Sequence, residues 1–250
     1  MPYITGDCHG DFLKFTDMMF PEQRNLTREN HVIVLGDVGL IYSINENNAE
    51  ERFNRLFLED RQFTFAFLSG NHENYDRLNA MKVSNWHGGK VHIIAPNVIH
   101  LISGQIYSIE GKTFFVFGGA KSHDITGGLL DLNAADFEDQ YQKARKSGKP
   151  FRIKNINWWE QEMPSEREKE EGLSNLAVHS FHVDYILTHC CSTKIQKKLN
   201  PQFESDELTD YLEQIRQKAS YSKWFFGHYH LDKEITDKQH AVYKNMINIQ

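Results

Sequence analysis

Four places in the sequence set a glycine directly before side chains that bind hard or borderline metal ions: Gly6-Asp7-Cys8-His9, Gly36-Asp37, Gly70-Asn71-His72-Glu73 and Gly227-His228-Tyr229-His230. A fifth, Thr188-His189, lacks the glycine. Aspartate, asparagine and histidine offer oxygen and imidazole nitrogen, a donor set that suits Mn²⁺, Fe or Zn²⁺ better than a thiolate-selective metal. Asp7 and His9 stand two positions apart, as do His228 and His230, so on an extended backbone both members of each pair point to one face. Every one of these places follows a short apolar run: Tyr3-Ile4-Thr5, Val32 to Leu35, Phe65 to Leu68, Tyr185 to Thr188 and Trp224 to Phe226. Such runs read as buried strands, each delivering its polar residues to a sheet edge.

Taken in order, Gly-Asp-x-His-Gly, Gly-Asp-x-Gly, Gly-Asn-His-Glu, a strand-end His and Gly-His-x-His resemble the calcineurin-like metallophosphoesterases, from Asp7 to His230. The resemblance implies an α/β fold, a four-layer sandwich of two mixed β-sheets flanked by helices, as one domain over residues 1–250. It implies a phosphoester hydrolase with two divalent metal ions (Mn, Fe or Zn) about 3.5–4 Å apart and a metal-bridging hydroxide as nucleophile. Carried over residue by residue, Asp7, His9 and His230 hold one metal, Asn71, His189 and His228 the other, and Asp37 bridges them. Two divalent cations against the two carboxylates Asp7 and Asp37 would leave a cationic pocket that draws phosphate. His72 is the family's candidate to donate a proton to the leaving oxygen or to stabilise charge there. Singly, Gly36-Asp37 also fits an Asx-turn and His189 a packed strand-end histidine; the metal reading comes from the five together.

Departures from the pattern bear on substrate. The protein Ser/Thr phosphatases that resemble this chain carry Gly-Asp-x-Val-Asp-Arg-Gly and an arginine before Gly-Asn-His-Glu, where this chain has Val38-Gly39-Leu40 and Ser69. Without those arginines, Arg77, Lys121 or Arg152 would have to bind phosphate, and His123-Asp124 stands either at the rim of the site or in an ordinary loop. The expected activity is a phosphodiesterase or phosphomonoesterase on a small or nucleotide-type substrate. A protein Ser/Thr phosphatase, a dinucleoside polyphosphate hydrolase and a non-catalytic metal-binding adaptor are the alternatives. A closed structural zinc site would call for more cysteine.

At 250 residues, 40% apolar, the chain suffices for one sizeable core. A net charge of −6 argues against a broad nucleic-acid surface. Three cysteines and no apolar leader or membrane-length run point to a cytoplasmic protein. Cys8, Cys190 and Cys191 all flank candidate ligands, either as small apolar neighbours or as thiolates that bind or control the metals.

The elements that must position these residues are legible in part. Apolar spacing predicts helices over Asp11–Met19 and Asn47–Leu58, which with the first three strands make a β-α-β-α-β opening. Turn-separated β-rich runs from Lys90 to Ala120 predict hairpins, with a second, more antiparallel sheet to follow. Ser165-Glu166-Arg167-Glu168 opens a helix as a capping box, and another helix spans about Asp206–Ala219. A closing pair of short strands surrounds Asp237-Lys238. Residues 121–160 show no pattern and read as a long loop, whose Trp158-Trp159 pair either anchors it on the core or covers the pocket.

Overall fold

The computed structural model describes residues 2–249. Six strands come first: β1 (Tyr3–Thr5), β2 (His31–Val34), β3 (Thr64–Leu68), β4 (Val83–Trp86), β5 (Gly89–Ala95) and β6 (Val98–Leu101). A hairpin of β7 (Gln105–Ile109) and β8 (Lys112–Phe117) follows. Two short strands, β9 (Leu129–Leu130) and β10 (Arg152–Ile153), pair with one another. The chain then adds β11 (Tyr185–Thr188), β12 (Lys223–Phe226), β13 (Lys233–Glu234), β14 (Gln239–Ala241) and β15 (Ile247–Asn248). These strands form two large mixed sheets, β15-β1-β2-β3-β6-β5-β4 and β13-β14-β12-β11-β8-β7.

Strand alternation shows why the sheets stack. Phe114 and Val116 of β8 face the first sheet and pack with Ile33, Ala66 and Leu68. Their neighbours Phe115 and Phe117 face outward and meet Leu176, Leu212 and Ile215. Those three lie on the helices Glu166–Val178 and Glu207–Lys218, both opened by capping boxes. On the far side of the first sheet, Val32, Val34, Phe65 and Phe67 pack against Leu58 of α1 (Ala49–Glu59) and against Phe12, Phe15 and Phe20. The order of layers is therefore segment and helix, sheet, sheet, helix, the expected α/β sandwich with both sheets apolar on both faces.

Two expectations about local structure are corrected. Asp11–Met19 is no α-helix: it holds a 3₁₀ turn at Leu13–Phe15, and another follows at Pro21–Asn25. Phe12 and Phe15 are buried three residues apart, the spacing of a 3₁₀ turn, while Met18 and Met19, counted as core in the helical pattern, are exposed. Residues 121–160 are not a bare loop either. They carry β9, β10 and an α-helix, Phe137–Ser147, whose narrow apolar stripe of Phe137, Tyr141 and Ala144 buries only Ala144 fully. Short helices at Tyr75–Asn79 and Thr193–Leu199 also escape the sequence pattern, being too short to show a period.

Strand direction places the site. β1, β2 and β3 run parallel in the first sheet, and β8, β11 and β12 run parallel in the second. Their carboxyl ends meet at one edge of the sandwich, where functional side chains of parallel sheets gather.

Candidate metal centre

Asp7 follows β1, Asp37 follows β2, Asn71 follows β3, His189 follows β11, and His228 and His230 follow β12. Three groups of potential ligand atoms result, each within 4.8 Å of one another: Asp7 with His9 and His230, His9 with Asp37 and His72, and Asp37 with His189 and His228. His9 and Asp37 each belong to two groups, so the three form a row. The backbone is unusual at these positions, with positive φ at His9 (49°), Asp37 (48°), His228 (65°) and His230 (51°). Left-handed non-glycine residues are uncommon and cluster at functional sites.

The recurrent glycines have a steric cause here. A Cβ on Gly70 would lie 2.1 Å from Asp37 Oδ1, and one on Gly227 would lie 2.4 Å from Asp7 Oδ1. The carboxylates of one loop sit against the backbone of the next, and only glycine leaves room.

Hydrogen bonds turn each ligand atom toward the centre. Asp7 Oδ1 accepts from the His228 amide at 3.0 Å. Its Oδ2 is buried without a hydrogen bond among the described residues, 3.1 Å from His230 Nε2. Asp37 Oδ1 accepts from the His72 amide at 2.9 Å, leaving Oδ2 3.4 Å from His189 Nε2 and 4.0 Å from His9 Nε2. His189 Nδ1 donates to the Leu35 carbonyl at 2.6 Å, which turns Nε2 toward Asp37 and Asn71. Asn71 Nδ2 donates to Ser122 Oγ at 3.1 Å, so Oδ1 is the atom that faces the site.

The electrostatics fit a cation. Burial opposes a charge on His189, but the Asp37 carboxylate overrides it and lifts the imidazole to about 10. The same pairing holds Asp37 well below the usual carboxylate range against the opposing effect of burial. Burial keeps His228 well below its ordinary value, hence neutral and able to coordinate. Without a metal, a proton shared with His189 balances Asp37, while Asp7 Oδ2 makes no well-aligned hydrogen bond and has only His230, lifted above its ordinary value by Asp7, as a neighbouring cation. A buried acceptor without a well-aligned donor is costly, and a divalent cation in the row would satisfy both carboxylates. The thiols do not compete: burial pushes Cys8 and Cys191 up to about 12 and raises Cys190 as well, so all three are protonated, buried neighbours.

His72 takes its orientation from the 121–160 segment. Arg152 Nη2 lies 3.1 Å from His72 Nδ1, and Arg152 Nε donates to Asp124 Oδ2 at 2.8 Å. A guanidinium only donates, so Nδ1 accepts and the imidazole proton sits on Nε2, which faces Asp37 at 3.9 Å. Of the candidate phosphate binders, Arg152 is thus at the site. Arg77 is not: its Nη1 pairs with the Glu51 carboxylate at 2.7 Å and donates to the Ser43 carbonyl. It lines a separate 670 Å³ hollow containing none of the metal-binding residues. His123 stands at the rim, its ring 4.6 Å from that of His228. Trp159 is buried and donates to Asp76 at 3.0 Å, anchoring the segment, and it also forms part of the wall beside His9 and His72.

Three supporting residues escape the sequence reading. Glu73 accepts from the amides of Val38 (2.8 Å) and Gly70 (2.5 Å), tying the Asp37 and Asn71 loops together; burial, then the nearby Asp37 charge, push its carboxyl up to about 8. Lys14 donates to the carbonyls of Gly6, Asp7 and Tyr243 and holds the Asp7 loop. Glu162 binds both the amide and the hydroxyl of Ser122, behind Asn71. Glu73 stands in the quoted Gly-Asn-His-Glu motif and was within reach; the other two give no local signal.

Among the described residues no helix is long and apolar enough to cross a membrane. No curated protein matches the chain. The sequence model of the calcineurin-like phosphoesterases matches residues 3–232, and with the His/Asp clusters at its strand ends the chain belongs to that family, whose members are metal-dependent hydrolases.

Proposed function

We propose that this chain, acting as one domain, hydrolyses phosphoesters at a centre of two divalent ions drawn from Mn, Fe and Zn. Asp7, His9 and His230 hold one ion, Asn71, His189 and His228 the other, and Asp37 is shared. The observation that carries the reading is the row of three overlapping groups, with Asp37 in the middle and Asp7 Oδ2, which lacks a well-aligned hydrogen bond, at one end. Bound there, the ions supply Lewis acidity and a water acidified toward neutral pH.

The chain's own residues do the rest. Asp37 and the oriented His189 and Asn71 fix where the phosphoryl group sits. His72, with its proton on Nε2, donates a hydrogen bond to the oxygen on which charge develops and so stabilises that charge. Arg152 keeps that tautomer in place, and Asp124 keeps Arg152 in place.

The test is chelation followed by readdition of Mn, Fe or Zn, with release of nitrophenolate from phosphoesters as the signal. The reading expects activity lost on chelation and regained as two equivalents bind. Undiminished turnover by the chelated protein would contradict it.

A further inference from the structure

Two clefts open on the centre, one beside the middle of the row and one at its His228 end. The first, of about 390 Å³, meets it at His9 and His72 and is lined by Tyr42, Glu50 and Arg152. The second, of about 620 Å³, meets it at His228 and His123 and is lined by Phe203, Tyr229, Ile125 and Lys121. They share no residue. Their chemistry differs: in the first, the Tyr42 hydroxyl donates to Glu50 at 2.7 Å, a polar wall that suits hydroxyl groups. In the second, the rings of Phe203 and Tyr229 lie 5.9 Å apart and offer an aromatic face.

Neither cleft carries a surplus of positive charge. Arg152 is paired with Asp124, and Glu50 also lines the first cleft. In the second, Lys121 is outnumbered by Glu204 and Asp206. A phosphomonoester arrives as a dianion with one organic arm and asks for extra cations beyond the metals. A phosphodiester arrives as a monoanion with two arms.

From these clefts and their charge we infer that the substrate is an unsymmetrical phosphodiester, with a polar, hydroxylated arm beside His72 and a flat, apolar arm against Phe203. This rests on the phosphoesterase reading above. In the reaction, water adds to phosphorus and one P–O bond breaks. Its electron pair leaves on the arm's oxygen, which takes up a proton, so one diester and one water give one monoester and one alcohol. The arm beside His72 is the one that departs, because the Nε2–H is there to meet its oxygen.

The metal-loaded protein is assayed with bis(4-nitrophenyl) phosphate and 4-nitrophenyl phosphate, which share a leaving group and differ in the second arm. The expected kcat/KM favours the diester by at least about tenfold, the worth of burying a ring. Phe203→Ala should lower the diester-to-monoester ratio by about the same factor. Calorimetry with unhydrolysable probes, diphenylphosphinate (monoanion, two arms) and phenylphosphonate (one arm), should show the first binding more tightly and losing that advantage in Phe203→Ala. Turnover that favours the monoester, or a ratio and probe preference untouched by Phe203→Ala, overturns the two-armed substrate while leaving the phosphoesterase reading intact. Turnover of neither ester overturns both.

Discussion

The strand-end loops and the 121–160 segment meet at one centre, and they differ in what fixes their side chains. In the loops, a buried strand ends, a glycine permits close approach and the next residue faces the row, so each position follows from a few adjacent residues. In the segment, Ser122, Asp124 and Arg152 reach the centre only through partners far along the chain: Asn71, His72 and Glu162. On the proposed reading the loops supply the ligand atoms, and the segment sets how those atoms and His72 are turned. Disturbing each in turn tests that division.

The largest expected effect separates chemistry from metal binding. His72→Ala, which removes the donor, should keep both metals while kcat falls by roughly 10²–10³, the usual worth of a group that stabilises developing charge. Because Nε2–H acts as a hydrogen-bond donor, the loss should be similar for nitrophenolate and for an alkyl alcohol leaving group. A loss that shrinks strongly with the better leaving group would instead make His72 a proton donor in the reaction.

Arg152 and Arg77 sharpen the comparison, since sequence alone could not rank them. Arg152→Ala should lower kcat by about 10–100-fold with metal content retained, as for other partners that orient a reactive histidine. Arg77→Ala should leave kcat alone and lower the denaturation midpoint, because it leaves the buried Glu51 carboxylate without its guanidinium, a loss of about 1–3 kcal/mol. Steady-state kinetics and urea titration of the two variants decide it; equal kinetic losses would erase the distinction.

These two arginines also show where sequence reading stops. Asp7, Asp37, Asn71, His189, His228 and His230 were legible because each follows an apolar run within one to four residues. Neither Arg152 nor Arg77 belongs to such a motif, and only the tertiary partners, Asp124 and His72 for one and Glu51 for the other, tell them apart. The helix Phe137–Ser147 is hard to see for a different reason: its stripe of Phe137, Tyr141 and Ala144 is only three residues wide in a strongly charged stretch, and of these only Ala144 is buried. The N-terminal segment misled in the opposite way. Its apolar residues mimic a helical stripe, while Leu13, Met18 and Met19 are in fact exposed.

An effect on stability alone concerns the scaffold behind Asn71. His100 accepts or donates at Ser69 Oγ (2.8 Å) and at His92 Nδ1 (3.0 Å), and burial, then His92, push it from 6.5 down to about 3. Between those values the unfolded chain takes up a proton that the folded chain refuses. The unfolded state therefore binds more protons there, and stability should fall as pH drops below about 6.5, at up to about 1.4 kcal/mol per pH unit. Urea midpoints measured from pH 7 to 4 should show a shallower slope in His100→Gln. An identical slope would mean that His100 does not govern this window.

Metal stoichiometry tests the central claim most directly. Elemental analysis of the wild-type protein, Asp37→Ala and Asn71→Ala, each loaded with Mn and desalted, should give two ions, well below one per chain, and close to one. A shared carboxylate serves both ions, whereas Asn71 serves one. Two ions retained by Asp37→Ala would remove Asp37 from between them and contradict the dinuclear centre.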